Sequence, residues 1–301
     1  MRAGALAAAL LALLLAAGPV AASTEESALL ALVTRVQGAV HVQGRQGSQE
    51  LRAPEGLVAG AELGLAQGAM VELALPGPQG RVLRLEGPGR FVLRAKGPEA
   101  LPGTPATRMH EQTLPGPLRA LRIDAGGAAR AGVSMRGAPR DPPLPAPRGK
   151  VLPGDVHSLA WSAPPGFAAS ALRYEVRLWD DAGTLAFVGE TGARELALPA
   201  DLAIGRPGHW IWSVEAFERD RPVALLELSF DVPGTEEGAQ WEAAEAAARA
   251  DPSVAHRLVL AVALAQAGYR GAARARWPGA LPESLVRSGA APSRWHRAGE
   301  R

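Results

Sequence analysis

Residues Gly208 to Phe217 read Gly-His-Trp-Ile-Trp-Ser-Val-Glu-Ala-Phe. Few structures suit this run. Trp210, Trp212, Val214 and Ala216 fall on one face of an extended chain, and His209, Ser213 and Glu215 on the other. Alternation with period two, carried by aromatic and β-branched residues, predicts a strand with one face in a core. Ile211 and Phe217 are apolar but fall out of phase. The Gly-Arg-Pro-Gly turn of Gly205 to Gly208 sets the start of the strand.

Its neighbours show the same period. Arg173 to Trp179 puts Tyr174, Val176 and Leu178 on one side and Arg173, Glu175 and Arg177 on the other. Asp180-Asp181-Ala182-Gly183 supplies a hairpin turn, and Thr184 to Val188 returns. With Val156–Trp161, Arg194–Leu198 and Val223–Phe230, residues 150–232 predict about seven strands in a sandwich. In the first of these, His157, Leu159 and Trp161 are expected on one face. Leu159-x-Trp161, Tyr174-x-Val176-x-Leu178 and Trp210-x-Trp212-x-Val214 together resemble a fibronectin type III-like (Ig-like) sandwich. The resemblance implies Trp161 as the core tryptophan, and it specifies fold rather than function.

Residues 30–96 also read as short strands separated by Gly/Pro turns, the pattern of an all-β sandwich or roll. Val36-Gln37-Gly38-Ala39-Val40-His41-Val42 comes first, followed by Leu57-Val58-Ala59-Gly60-Ala61-Glu62-Leu63. Met70–Leu73 and Val82–Leu85 then lead to Gly87-Pro88-Gly89-Arg90-Phe91. These motifs resemble the FecR-type periplasmic domain, which implies an envelope-facing β domain used in sensing or assembly. FecR regulators carry a cytoplasmic sigma-factor-binding segment ahead of a membrane span. Here Met1-Arg2 precedes the apolar run, which argues against a direct anti-sigma role. Leu118–Ile123 and Ala131–Met135 read as two more short strands, closing a domain over 28–137.

The remaining segments differ in composition. Residues 1–22 have the form of a signal peptide: Arg2, an uncharged apolar run, Gly18-Pro19, and small residues before a cut after Ala22. No second run of that length follows, so no stable membrane span is expected after cleavage. Residues 138–149 carry prolines at 139, 142, 143, 145 and 147 and predict a stiff linker. Residues 235–269 predict two helices broken at Asp251-Pro252-Ser253 and stopped at Gly268. This hairpin resembles one tetratricopeptide (TPR)-type unit. One unit cannot bury its own face, so it is expected to pack on the sandwich or on a partner. Residues 270–301, rich in Arg, read as a basic, partly disordered tail. The fold class is therefore mainly β: a FecR-like roll or sandwich, a fibronectin III-like sandwich and a C-terminal helical hairpin.

The chain has no Cys, which excludes disulfides and thiolate chemistry. Its 32 basic and 30 acidic residues leave a net charge of +2 and are interspersed, a solvated surface rather than a nucleic-acid groove. The six His show no metal-ligand spacing, and no Gly-x-Ser-x-Gly elbow exists. Asp180-Asp181 suits a turn better than an acid/base pair. The sequence therefore predicts no catalytic residue, cofactor or metal. It predicts an exported, periplasmic or secreted, non-enzymatic interaction or scaffold protein. The partner would be a protein or an envelope polymer. An accessory role in FecR-type signalling and a cell-wall polymer-acting enzyme are the alternatives. The candidate interaction surface is Trp179 and Phe187 flanking the hairpin, with His209, Ser213 and Glu215.

Overall fold

The computed structural model describes residues 29–44, 47–105, 108–123, 146–202, 204–279, 281–282, 285 and 295–297. The fold is mainly β with helices toward the C-terminus. The signal-like segment 1–22, the strand expected at 131–135 and most of the proline-rich linker lie outside the described residues. No helix among those described is long and apolar enough to cross a membrane.

Among the described residues the first unit has ten strands: β1 (Leu29–Gln37), β2 (Val40–Gly44), β3 (Gly47–Glu50), β4 (Glu55–Val58), β5 (Glu62–Leu65), β6 (Met70–Leu75), β7 (Arg81–Glu86), β8 (Gly89–Arg94), β9 (Gly97–Ala100) and β10 (Met109–Thr113). They form two five-stranded sheets, ordered β10-β7-β6-β1-β4 and β3-β2-β5-β8-β9. A core of Ala31, Val33, Val71, Leu73, Leu83 and Leu85 faces Val40, Leu63, Leu65, Phe91 and Leu93. Gly87, at the β7–β8 turn, has to be glycine, because a Cβ there would lie 2.2 Å from the carbonyl oxygen of Ala66.

The first sheet is apolar on its other face as well. Leu32, Ala74 and Val82 alternate with the inward residues, yet they are buried too. What covers them is helical: α1 (Gly116–Arg119), α2 (Thr235–Ala250), α3 (Val254–Gln266) and α4 (Arg270–Arg276). Trp241, Leu258, Val259, Val262, Tyr269, Leu118 and Leu121 share one core with Leu32, Ala74 and Val82.

This arrangement corrects three expectations. The hairpin packs on the first β unit rather than on the sandwich, because that sheet has an apolar outer face to bury. Leu118–Ile123 is not a strand; Pro115 and Pro117 suit the opening of a short helix that aims Leu118 at the helical core. Residues 270–276 are not tail but helix α4, with Ala272 and Ala273 buried. The boundaries of α3 follow the sequence closely. Ser253 Oγ accepts the His256 N–H at 3.1 Å, capping the start. At the end Gly268 takes φ +97°, and the N–H groups of Gly268 and Tyr269 donate to the carbonyls of Ala265 and Leu264.

The second unit is a sandwich. Strands β11 (Gly149–Lys150), β12 (Ser158–Ala160), β13 (Leu172–Trp179), β14 (Leu185–Thr191), β15 (Glu195–Ala197), β16 (Gly208–Glu218), β17 (Arg221–Val232) and β18 (His296–Arg297) build it. The large sheet runs β11-β17-β16-β13-β14, with β18 on β17, and β12-β15 lies across it. Trp161 is the central tryptophan, 5.3 Å from the Tyr174 ring and 6.5 Å from Trp212. Trp210 stacks on Phe230. His157 does not share the face of Leu159 and Trp161. It is exposed and Val156 is buried, because a helical turn at Pro153–Asp155 precedes β12. Parts of the expected linker and tail belong to this unit. Pro147 accepts the Trp212 indole N–H at 2.9 Å, and the Trp295 indole donates to the Ser162 carbonyl.

Two polar clamps join the units through the helices. Lys150 Nζ lies 3.2 Å from Glu237 Oε1 on α2, and the Tyr269 hydroxyl donates to the same oxygen at 2.7 Å. Arg276 on α4 holds Asp155 with two bonds of 2.8 and 2.9 Å and also contacts Glu245 on α2. Burial, then the bond to Glu237, pushes the Tyr269 hydroxyl above its ordinary range, so it stays a neutral donor. At Glu237 burial works the other way from its partners. It raises the carboxyl, but the bonds from Tyr269 and Lys150 outweigh it and leave the group lowered.

A lowered carboxyl favours its charged form in the folded state. Its stabilisation is therefore present above the ordinary carboxylate range, about pH 4, and is lost as pH falls through the folded value. Taking the protein from pH 6 to below about pH 4 should lower the melting temperature of the wild type more than that of Glu237→Gln. Equal falls in the two proteins, followed by circular dichroism, would show that Glu237 contributes nothing.

Candidate binding surface

β13, β14, β16 and β17 present two faces. The inner face carries Tyr174, Val176, Leu178, Trp212 and Val214 into the core. The outer face carries the alternate residues, and register brings them into rows. Trp179 stands opposite Ile211 on β16 and Leu185 on β14; Arg177 stands opposite Ser213 and Val188.

The outer face divides into two chemically different halves. In one, charges meet. Arg173 pairs with Glu190 at 3.1 Å and covers the Phe217 ring at 4.5 Å, and Arg177 contacts Glu175 and lies 3.9 Å from Glu215. The other half is apolar. Leu185 and Val188 are each 49% exposed and Ile211 is 36% exposed, beside the half-buried Trp179.

A groove of about 280 Å³ opens at this apolar end. Trp179 and Ile211 line it together with Asp180, Asp181 and Gly183 of the hairpin turn, and with His209 and Glu227 from the neighbouring strands. Asp180 is committed to the turn, where Oδ1 accepts the N–H groups of Ala182 and Thr184. His209 Nδ1 lies 2.7 Å from Asp231 Oδ1. No group of three or more His, Cys, Asp or Glu among the described residues is arranged to hold a metal ion. What the groove offers a ligand is an aromatic and aliphatic floor with carboxylates at its rim.

The structure gathers Trp179, His209, Ser213 and Glu215 on this one face and separates Phe187 from them. Phe187 faces Leu178 across the strands and packs against the sandwich core, because the hairpin places it on the inner phase. It therefore forms no platform with Trp179. Ser213 is on the outer face but only 5% exposed, a short side chain in register between Arg177 and Glu227. Ile211, Leu185 and Val188 were not singled out as surface residues. Ile211 left a trace in the sequence, since an apolar residue out of phase in a half-buried strand is one that faces solvent.

No family model matches the chain, and no curated protein matches it either.

Adjacent residues on β16 should therefore respond oppositely. Ile211→Ser should leave stability within about 0.5 kcal/mol of wild type. Trp212→Phe, which removes the donor to the buried Pro147 carbonyl, should cost about 1–3 kcal/mol. Urea unfolding measures both; equal costs would contradict the assignment of faces.

Proposed function

We propose that the protein is an exported, non-enzymatic interaction or scaffold component of the cell envelope, and that the apolar half of the outer sandwich face is its contact surface. The observation that carries this reading is the division of that face. Its charged half is satisfied by its own ion pairs, whereas Leu185, Val188 and Ile211 are left exposed beside Trp179. Exposed apolar groups set together next to a groove are the usual mark of a contact surface.

Other features support the same reading. The apolar, uncharged form of residues 1–22 suits an export signal. The order β14-β13-β16-β17 facing β12-β15, with Trp161 at its centre, suits a fibronectin III-like interaction module. The motifs of residues 36–91 suit a FecR-like periplasmic domain, and the two-sheet roll they build is compatible with it.

The test is retention from envelope extract on the immobilised exported chain, with material identified by mass spectrometry. A specific protein or polymer should be retained by wild type and by Glu175→Gln, on the paired half of the face. It should be lost from Ile211→Asp and Trp179→Ala. Retention indifferent to the apolar half, or no retention at all, would overturn the reading.

A further inference from the structure

Every sheet has edges, and an unpaired edge is a template for another strand. The described edges of this protein are blunted in different ways, with one exception; β11 has two residues, β15 has three including Glu195, and Ala146 bridges β12 at Ala160. β10 is exposed along its whole length and carries His110 and Glu111, the latter paired with Arg81. β4 and β3 have four residues each, with Glu55 at one end of β4 and Glu50 at the end of β3. β9 contains Pro98 and Glu99. The free side of β17 is covered by β11 at Phe230–Asp231 and by β18 at Ala224–Leu225.

β14 is the exception. Its seven residues, Leu-Ala-Phe-Val-Gly-Glu-Thr, include no proline and no basic residue, and its one carboxylate, Glu190, is neutralised by Arg173. Among the described strands it pairs with β13 alone. One row of its backbone N–H and C=O groups therefore meets no described strand. Leu185 and Val188 stand half-exposed beside that row, continuous with Trp179 and Ile211.

We propose that two copies of this chain pair through β14, antiparallel and edge to edge, with Val188 opposite its own counterpart. The sequence of the strand is self-complementary in that register. Phe187 would meet Gly189 on the inner face and the two Val188 side chains would meet at the centre of the outer face, while the bulge at Ala186 sets Leu185 out of phase with Thr191 at either end. Each Glu190 then lies away from its twin and keeps its Arg173, so no like charges are opposed. The apolar halves of the two outer faces join into one strip across the paired sheets. A seven-residue strand pair with such a strip falls at the small end of specific interfaces, below about 1,200 Å². The dimer is accordingly reversible and concentration-dependent. Leu185 and Val188 belong also to the proposed contact surface, but pairing along the edge leaves the groove at Trp179 and Ile211 open, so loss of the dimer and loss of a retained partner are separate outcomes.

The native chain has no cysteine, so one introduced cysteine reports without background. Facing residues of an antiparallel pair have Cα atoms about 4.5–5.5 Å apart, inside the span a disulfide bridges. Under mild oxidation Val188→Cys should give a covalent dimer. Leu185→Cys, whose copies sit at opposite ends of the paired strands, should not. Light scattering of the wild type should show the mass rising toward twice that of one chain with concentration, and Val188→Lys should hold it at one chain. A wild-type mass that stays at one chain at all concentrations would overturn the proposal. So would cross-linking by both cysteines to the same extent.

Discussion

The outer face of the first sheet governs the rest of the architecture. β1, β6 and β7 carry apolar residues in both phases: Ala31, Val33, Leu73 and Leu83 toward the second sheet, and Leu32, Ala74 and Val82 away from it. A sheet of that composition cannot stand with one face in water, because each large aliphatic side chain left exposed forgoes about 1.5–3 kcal/mol. A second covering layer is required. The helical segment supplies it, and a helical pair that could not bury its own face gains a surface at the same time.

This layer also determines how the two β units are held. The helices reach the first unit by apolar packing and the sandwich by polar bonds, Lys150–Glu237–Tyr269 and Asp155–Arg276–Glu245. Leu152, at the start of the second unit, enters the helical core as well. The contacts therefore converge on one side of the sandwich, near its first strand. The outer face of β13, β14 and β16 belongs to neither the helical core nor the clamps. That is the face with exposed apolar groups, so the bracing and the candidate contact surface occupy different parts of the molecule.

Much of this was legible in the sequence. Alternation at Arg173–Trp179 and Gly208–Phe217 placed the inward residues correctly, and Gly268 marked the end of α3. The expectation failed where period two met two buried faces. Ala74 and Val82 look like ordinary strand residues, and nothing local says that helices from 150 residues later will cover them. Short strands such as β3, β9 and β10 were missed because none of them alternates apolar with polar residues, and each owes its existence to its neighbours. Phe187 was misplaced because one hairpin turn sets the phase of the returning strand, and a bulge shifts it again beside Trp179. Ser213 and Glu215 were assigned to the outer face correctly, but burial there depends on the long side chains beside them, which a one-dimensional pattern does not contain.

The central claim is that the helices are a structural layer of the first unit rather than an appended module. Hydrogen exchange followed by mass spectrometry through a urea series tests it most directly. The account predicts that peptides from β6–β7 and from α2–α3 lose protection together, at one urea concentration. Loss of protection in the helices well before the β6–β7 peptides change would contradict it.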